Sequence, residues 1–111
     1  MNHKLSNHNQ FSVVHLLEDI DSSNSGDFDK IIESSISSGA KALILDFSAV
    51  KFIDSSGISS IAKNYRILNE KECKVTLAGC NEALKKIFQL IGFHKFFKIT
   101  ATLQEALDQK A

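Results

Sequence analysis

The spacing of apolar residues along the chain alternates between two periods. Short apolar or alternating runs predict strands at Phe11–Leu17, Ala42–Phe47, Lys74–Ala78 and Phe96–Ile99. The segments between these runs carry apolar residues three and four positions apart, which is the spacing of helices with one buried face. The buried stripe of the second predicted helix is expected to consist of Ile58, Ile61, Ala62, Tyr65 and Leu68.

Residues that favour helix ends stand at the limits of these periodic segments. Asn24 is a candidate N-cap of the first helix, and Gly39 is placed to end that helix in a left-handed conformation. Asn81 opens the third helix and Gly92 closes it. The segment Thr102–Glu105 has the form of a capping box, which opens a final helix.

The order of the predicted elements defines the fold class. Residues 1–10 are expected to contain a short edge strand followed by a polar turn at Asn7–Asn9. The resulting order, β-β-α-β-α-β-α-β-α, predicts an α/β fold with a mixed, mostly parallel sheet of about five strands and about four helices. The sequence contains no repeat or linker, so residues 1–111 are predicted to form a single domain with its core at about residues 11–108.

The charge balance limits the classes of partner. The 111 residues include 13 basic and 13 acidic side chains, which gives a formal net charge of zero. This balance argues against a general binder of nucleic acid or of anionic membranes. Because no apolar run approaches the ~20 residues that span a bilayer, we also expect no membrane insertion.

The cysteines and histidines give no indication of a disulfide or a metal site. Cys73 and Cys80 stand at opposite ends of a predicted strand, about 20 Å apart, which is too far for a disulfide. We therefore predict free thiols and a cytoplasmic protein. The four histidines have no paired spacing with cysteines or carboxylates, so neither a metal nor a cofactor is expected.

One short polar segment indicates a site. Asp54-Ser55-Ser56-Gly57 separates an apolar strand from the second predicted helix, and capping by Asp54 or Ser55 would explain its polarity. Capping does not explain Gly57, because a glycine in a first turn costs up to ~1 kcal/mol relative to alanine. We expect the backbone at Gly57 to approach another part of the molecule closely.

The same segment is suited to phosphorylation. At least one of the hydroxyls of Ser55 and Ser56 should face solvent, since both residues precede the buried stripe. A phosphate there would add about −1.5 to −2 charges beside Asp54, and near Asp21, without breaking the fold. Such a change would repel an acidic partner or disrupt a closely packed interface.

The stretch Leu45–Tyr65 carries a family resemblance. Its strand ending in Asp46-Phe-Ser48, followed by Val50-Lys-Phe-Ile-Asp-Ser-Ser-Gly57 and a helix, closely resembles the central motif of STAS domains, specifically bacterial anti-sigma-factor antagonists. The resemblance extends over nearly the whole chain from Phe11 onward.

The resemblance implies a phosphorylation switch. The position of the usual phosphoacceptor is Ser55, with Ser56 as the fallback, and Asp21, Asp54 and Gly57 are its neighbours. The unphosphorylated protein would bind an anti-sigma factor that has serine-kinase activity, phosphorylation would release it, and a PP2C-type phosphatase would reset the switch. The chain itself would have no enzymatic activity.

The face of the second helix that carries Ser55 is the predicted partner surface. Ile67 lies off the apolar stripe, about 180° from Ile58 around the helix axis, so we expect it to share an outward face with Ser60, Lys63 and Asn64. The residues expected to contact the partner are Asp21, Ser55, Ser56, Ser59, Ser60, Lys63 and Ile67.

Three alternatives compete with an anti-sigma-factor antagonist. STAS domains also serve in stressosomes, in chemotaxis or biofilm regulation, and in lipid-transport ATPases. A receiver-like domain would use Asp46 as a phosphoaspartate, but Asp19 and Asp21 do not form the adjacent acidic pair that such a domain needs. A serine hydrolase is disfavoured because the chain has no G-x-S-x-G motif and no histidine evidently linked to Ser55.

Overall fold

Five strands form one sheet in which the spatial order of the strands follows the chain. A computed structural model describes residues 1–109. The strands are β1 (His3–His8), β2 (Phe11–Leu16), β3 (Ala42–Asp46), β4 (Lys74–Ala78) and β5 (Lys98–Ile99). β1 pairs antiparallel with β2, and all other neighbours pair in parallel. The predicted mixed, mostly parallel sheet is confirmed.

Helices connect the parallel strands and cover both faces of the sheet. They are α1 (Ser25–Ser37), α2 (Ser55–Glu70), α3 (Glu82–Leu90) and α4 (Leu103–Leu107), and a short 3-10 helix spans Phe93–Lys95. Buried residues of α1, α2 and α3 join one core cluster with side chains such as Leu43, Leu45 and Leu77. The opposite face carries a second cluster, in which Ala106 of α4 packs with Phe11, Val13, Ala42, Ile44 and Ala78.

The predicted helix ends are largely confirmed. Gly39 and Gly92 have φ angles of 86° and 83°, as expected for glycines that end helices. Asn81 accepts a hydrogen bond from the backbone N–H of Leu84 at 2.8 Å, and Thr102 accepts one from Glu105 at 3.1 Å. Asn24 is the N-cap residue of α1, but its side chain makes no capping bond and instead holds the preceding loop.

The predicted fifth strand is too long at its start. Phe96 and Phe97 precede β5, because residues 93–97 form a hydrogen-bonded turn in which the N–H of Phe97 donates to the carbonyl of Phe93 at 2.9 Å. This turn buries Phe93 against Phe88, with ring centroids 5.7 Å apart. Burial of an aromatic side chain therefore prevails over the strand preference of the Phe96-Phe97 pair.

The orientation of α2 differs from the one predicted from apolar spacing. Ala62, which was predicted to be buried, is exposed. Ser60 and Asn64, which were predicted to lie on an outward face, are buried. Both predictions are wrong. The reason is that α1 packs along this flank of α2. The Asn64 amide donates to the Asp29 carboxylate at 2.7 Å and to the Ser60 carbonyl at 2.8 Å, which satisfies its hydrogen bonds in the interface.

Two further features concern the cysteines and the possibility of a membrane-spanning helix. Cys73 and Cys80 are both free and buried, and burial raises the pKa of the Cys80 thiol to about 12. Within residues 1–109, no helix is both long and apolar enough to cross a bilayer.

Candidate functional site

The amino-terminal end of α2 is capped by the residue just before it. The carboxylate of Asp54 accepts hydrogen bonds from the backbone N–H groups of Ser56 at 2.9 Å and Gly57 at 3.1 Å. Of the two candidate caps, Asp54 is therefore the one used. Its negative charge also lies favourably at the positive end of the helix dipole.

Gly57 lies where α2 packs tightly against the residues before it and against the loop after β2. A Cβ atom at this position would lie 2.5 Å from Cγ1 of Ile53 and 2.9 Å from Cγ2 of Ile20. The expected close approach is confirmed, and only glycine leaves room for both isoleucines. The helix start is thus fixed against the core by two well-packed side chains.

The loops that follow β2 and β3 are joined by backbone contacts. Ile20, after β2, and Ile53, after β3, form a parallel bridge, and the N–H of Asp54 donates to the carbonyl of Ile20 at 3.2 Å. Asp21 follows Ile20 directly, so the structure brings Asp21 to the loop beside Asp54 and Ser55. The predicted association of Asp21 with the site is consistent with this geometry.

Asp19 is a residue of this site that the sequence did not indicate. One of its carboxylate oxygens accepts hydrogen bonds from the backbone N–H groups of Lys51 at 2.8 Å and Phe52 at 3.1 Å. It thereby ties the loop after β2 to the loop that leads to Ser55. The sequence shows only that carboxylates cluster in Glu18-Asp19-Ile20-Asp21. This clustering does not indicate which of the three carboxylates connects the two loops.

The carboxylates of the β2–α1 loop hold that loop in shape. Hydrogen bonds from the hydroxyl and the backbone N–H of Ser23 lower the pKa of Asp21 below its usual value. The N–H of Asn2 and the side-chain amide of Asn24 likewise lower the pKa of Glu18. Both groups therefore favour the ionised form more strongly in the folded chain than in the unfolded chain.

This preference predicts a loss of stability in acid. Because the folded-state pKa of Asp21 is lowered, its contribution is fully present above the unfolded pKa of about 3.8 and disappears as the pH falls through the folded pKa. Urea unfolding at a series of acidic pH values should show a shallower pH dependence for Asp21→Asn, and for Ser23→Ala, than for the unchanged chain. Equal slopes in all three proteins would contradict this role of Asp21.

Ser55 and Ser56 differ in exposure. Ser55 is exposed and Ser56 is half-buried. Throughout residues 1–109, no group hydrogen-bonds to either hydroxyl. Because Asp54 already occupies the nearest first-turn N–H groups, a phosphate on Ser55 would lie in solvent beside a carboxylate. Its effect would be exerted at the surface of the molecule.

A continuous exposed face of α2 begins at Ser55. We call it the α2 ridge, and it consists of Ser55, Ser59, Ala62, Lys63 and Arg66, which are all exposed. Lys63 forms an ion pair with Asp29 of α1, with Nζ 2.6 Å from the carboxylate. Ile67 is half-buried and borders this ridge. It lines a shallow hollow together with Ala62, Lys63 and Arg66. Apolar spacing had placed Ala62 in the core and gave no indication for Arg66.

The residues proposed for the competing chemistries lie elsewhere. Asp46 is buried, and its carboxylate binds His15 at 2.7 Å and the N–H of Ser48 at 3.0 Å, so it is not presented as a phosphoacceptor. His15 in turn contacts Ser6 at 2.8 Å and not Ser55. In the described part of the chain, His, Cys, Asp and Glu side chains do not gather in any group of three that could hold a metal ion.

The strand order, the mixed sheet and the helix that begins at Ser55 define an α/β domain with an accessible serine at a helix start. The family model described as "STAS domain" matches residues 3–106. The chain belongs to the STAS domain family, and the predicted fold class is confirmed.

Several similar proteins are described as anti-sigma factor antagonists. The "Anti-sigma-F factor antagonist RsfB" of Mycobacterium tuberculosis is 24% identical over 103 residues, which cover 93% of this chain and 84% of that protein. An anti-sigma factor antagonist from Mycobacterium paratuberculosis has a crystal structure that matches with a TM-score of 0.82 at 27% identity, covering 96% of this chain and 90% of that one.

SpoIIAA provides a comparison in two states. The anti-sigma factor antagonist SpoIIAA in its unphosphorylated form matches with a TM-score of 0.77 at 25% identity, covering 96% of this chain and 94% of that one. The Bacillus protein in its phosphorylated form matches with a TM-score of 0.73 at 25% identity, covering 96% and 97%. A relative of similar fold is therefore phosphorylated.

Proposed function

We propose that this protein is an anti-sigma-factor antagonist that switches partners through phosphorylation of Ser55. The unphosphorylated chain binds an anti-sigma factor with serine-kinase activity, transfer of phosphate to Ser55 releases it, and a PP2C-type phosphatase restores binding. The observation that carries the proposal is the exposed Ser55 hydroxyl at the start of α2, beside Asp54, whose carboxylate holds the first-turn N–H groups. Proteins similar in sequence and in structure are described as anti-sigma factor antagonists.

The geometry supports release by charge and not by refolding. A phosphate on Ser55 adds about −1.5 to −2 charges at a surface that already contains the carboxylates of Asp54, Asp21 and Asp19. No buried group has to move to accommodate it, because Ser55 is exposed. A partner packed against this helix end would have to desolvate the phosphate, and an unpaired charge in an interface is costly. The chain acts in this scheme as a cytoplasmic binding module without catalysis of its own.

The α2 ridge is the proposed contact surface for the anti-sigma factor. Ser55, Ser59 and Ala62 are small, which lets a partner approach the helix closely. Ser56 and Asp21 flank the start of this surface, and Lys63 and Ile67 border it further along α2. Ser60 is excluded from direct contact because it is buried against α1.

A charged side chain in the middle of the ridge tests this surface. Ala62→Glu should weaken binding to the anti-sigma factor about tenfold or more, because Ala62 is exposed and a glutamate there places an unpaired charge in the interface. The measurement is a calorimetric titration with the purified partner. Ser37→Glu, at an exposed position of α1, is the matched control and should bind like the unchanged chain. Equal affinity of the two variants would contradict the assignment of the ridge.

A capture experiment tests the function itself. Ser55→Ala, which cannot be phosphorylated at this position, and Ser55→Asp, which carries a permanent charge, are used as matched baits in lysate of the source cells. The proposal expects Ser55→Ala to retain an anti-sigma factor with a kinase domain and Ser55→Asp to lose it. Recovery of that protein in equal amounts by both baits, or of no such protein by Ser55→Ala, would overturn the proposal.

A further inference from the structure

Although the net charge is zero, the acidic and the basic side chains are concentrated in different parts of the chain. Residues 18–33 contain six carboxylates and one lysine, whereas residues 83–104 contain four lysines and no carboxylate. The first segment forms the loop beside Ser55 and most of α1. The second contains α3 without its first residue, Glu82, together with the 3-10 turn and β5. The second segment therefore carries a net positive charge although the whole chain is neutral.

Three large apolar side chains are exposed within this basic segment. We call them the α3 tip: Leu90, Ile91 and Phe96. Leu90 is 80% exposed and Phe96 is 58% exposed. Leu90 and Ile91 are adjacent in the chain, and two successive hydrogen-bonded turns lead from them to Phe96, since the N–H of Gly92 donates to Gln89 and the N–H of Phe96 donates to Phe93. Such a cluster of exposed apolar residues is typical of an interaction site.

Lysines surround this apolar cluster. Lys86 lies one helical turn before Leu90, and Lys95 directly precedes Phe96; both are exposed. Phe96 and Lys98 line one groove, which also contains Lys74 and a single carboxylate, Glu72. The immediate surroundings of the apolar side chains are thus predominantly positive, which complements an anionic surface.

The α3 tip lies far from the start of α2. Phe96 contacts Tyr65, with ring centroids 5.3 Å apart. Tyr65 is ten residues along α2 from Ser55, which corresponds to about 15 Å at the rise of an α-helix. A surface docked at the tip therefore leaves Ser55 and the beginning of the α2 ridge accessible.

We infer that the α3 tip docks reversibly on an anionic lipid surface, with Leu90, Ile91 and Phe96 entering the headgroup boundary and the lysines facing the lipid phosphates. Exposed apolar side chains ringed by lysines are the combination that binds such surfaces. A lipid surface fits better than an acidic protein, because a leucine exposed over four-fifths of its area at a helix end can enter lipid without a complementary pocket. The inference goes beyond the proposed function and does not depend on it.

Cosedimentation with vesicles tests this inference. The full chain should cosediment with vesicles of equimolar phosphatidylglycerol and phosphatidylcholine at low salt, and not with pure phosphatidylcholine. Leu90→Glu should reduce the partition coefficient more than tenfold, and Lys95→Gln should reduce it about fivefold, the usual contribution of one basic residue near an anionic surface. Both substitutions are at exposed positions and leave the core unchanged.

Matched controls come from other exposed positions. Leu5→Glu, on β1 where the side chain is 65% exposed, and Lys30→Gln, on α1, should bind vesicles like the unchanged chain. No cosedimentation at low salt, or equal binding by Leu90→Glu and Leu5→Glu, would overturn the inference. So would Leu90-dependent capture of an acidic protein by a chain that does not bind vesicles. Because none of these variants alters Ser55, failure here leaves the partner switch untouched.

Discussion

Ser55→Asp is expected to weaken binding to the anti-sigma factor about 100-fold or more, because a like or unpaired charge in an interface costs several kcal/mol. The aspartate would stand at the first position of α2, beside Asp54, which caps the helix and whose N–H donates to the carbonyl of Ile20, next to Asp21. Helix α2 itself should remain intact, since an acidic residue in a first turn favours the helix dipole. Calorimetric titration with the purified partner measures the loss.

Two controls distinguish a local charge from a general effect. Ser37→Asp adds the same charge at an exposed position of α1 and should bind like the unchanged chain. Ser55→Ala should retain affinity, since it removes a hydroxyl that makes no hydrogen bond within residues 1–109. If Ser55→Asp binds as tightly as Ser55→Ala, the proposed mode of release is wrong.

The second large effect is expected for Gly57→Ala, through stability. The new methyl group would meet Ile53 at 2.5 Å and Ile20 at 2.9 Å, and overpacking of this kind typically costs about 1–3 kcal/mol. The gain in helix propensity of up to ~1 kcal/mol is smaller than most of this range, so a net loss of stability is expected. Urea denaturation should therefore show a lower free energy of unfolding. Binding to the anti-sigma factor should also fall if the start of α2 is displaced.

Gly26→Ala is the matched control for this prediction. Gly26 also lies in the first turn of a helix, but a Cβ atom there would meet no atom within 4 Å. The same substitution should therefore be neutral or stabilising at Gly26. In a double-mutant cycle, Ile53→Ala should reduce the cost of Gly57→Ala, because it removes both atoms of Ile53 that clash. Equal stabilisation by both glycine substitutions would contradict the packing argument.

The elements of the fold could be predicted because their signals are local. Apolar runs gave the parallel strands, and residues such as Gly39, Asn81 and Thr102 marked the helix ends through backbone conformation or side-chain capping. Local signals failed where two elements compete for the same residues. Phe96 and Phe97 have the composition of a strand, yet burial of Phe93 draws them into a turn.

The orientation of α2 could not be predicted from apolar spacing alone. Ser60 and Asn64 are polar in sequence but buried in the structure, because the Asn64 amide finds its partner in Asp29, 35 residues away. Hydrophobic periodicity carries no information about such a contact. The predicted exposed face consequently included Ser60, which is buried, and left out Arg66, which is exposed.

The candidate site was predicted in part. The sequence indicated a capped helix start and a close approach at Gly57, and both are present. Asp19 was missed because its role depends on the contact between two loops that are more than 30 residues apart in sequence. The phosphoacceptor role of Ser55 was implied by the family resemblance and stays a prediction.

The central claim is that Ser55 is the phosphorylated switch. Its most direct test is to incubate the unchanged chain with ATP and the anti-sigma factor recovered by the Ser55→Ala bait, map the phosphate by mass spectrometry, and titrate the product with the same partner. We predict phosphate on Ser55 and loss of binding. Phosphate at a residue other than Ser55 or Ser56, or a Ser55-phosphorylated chain that binds as tightly as before, would contradict the claim.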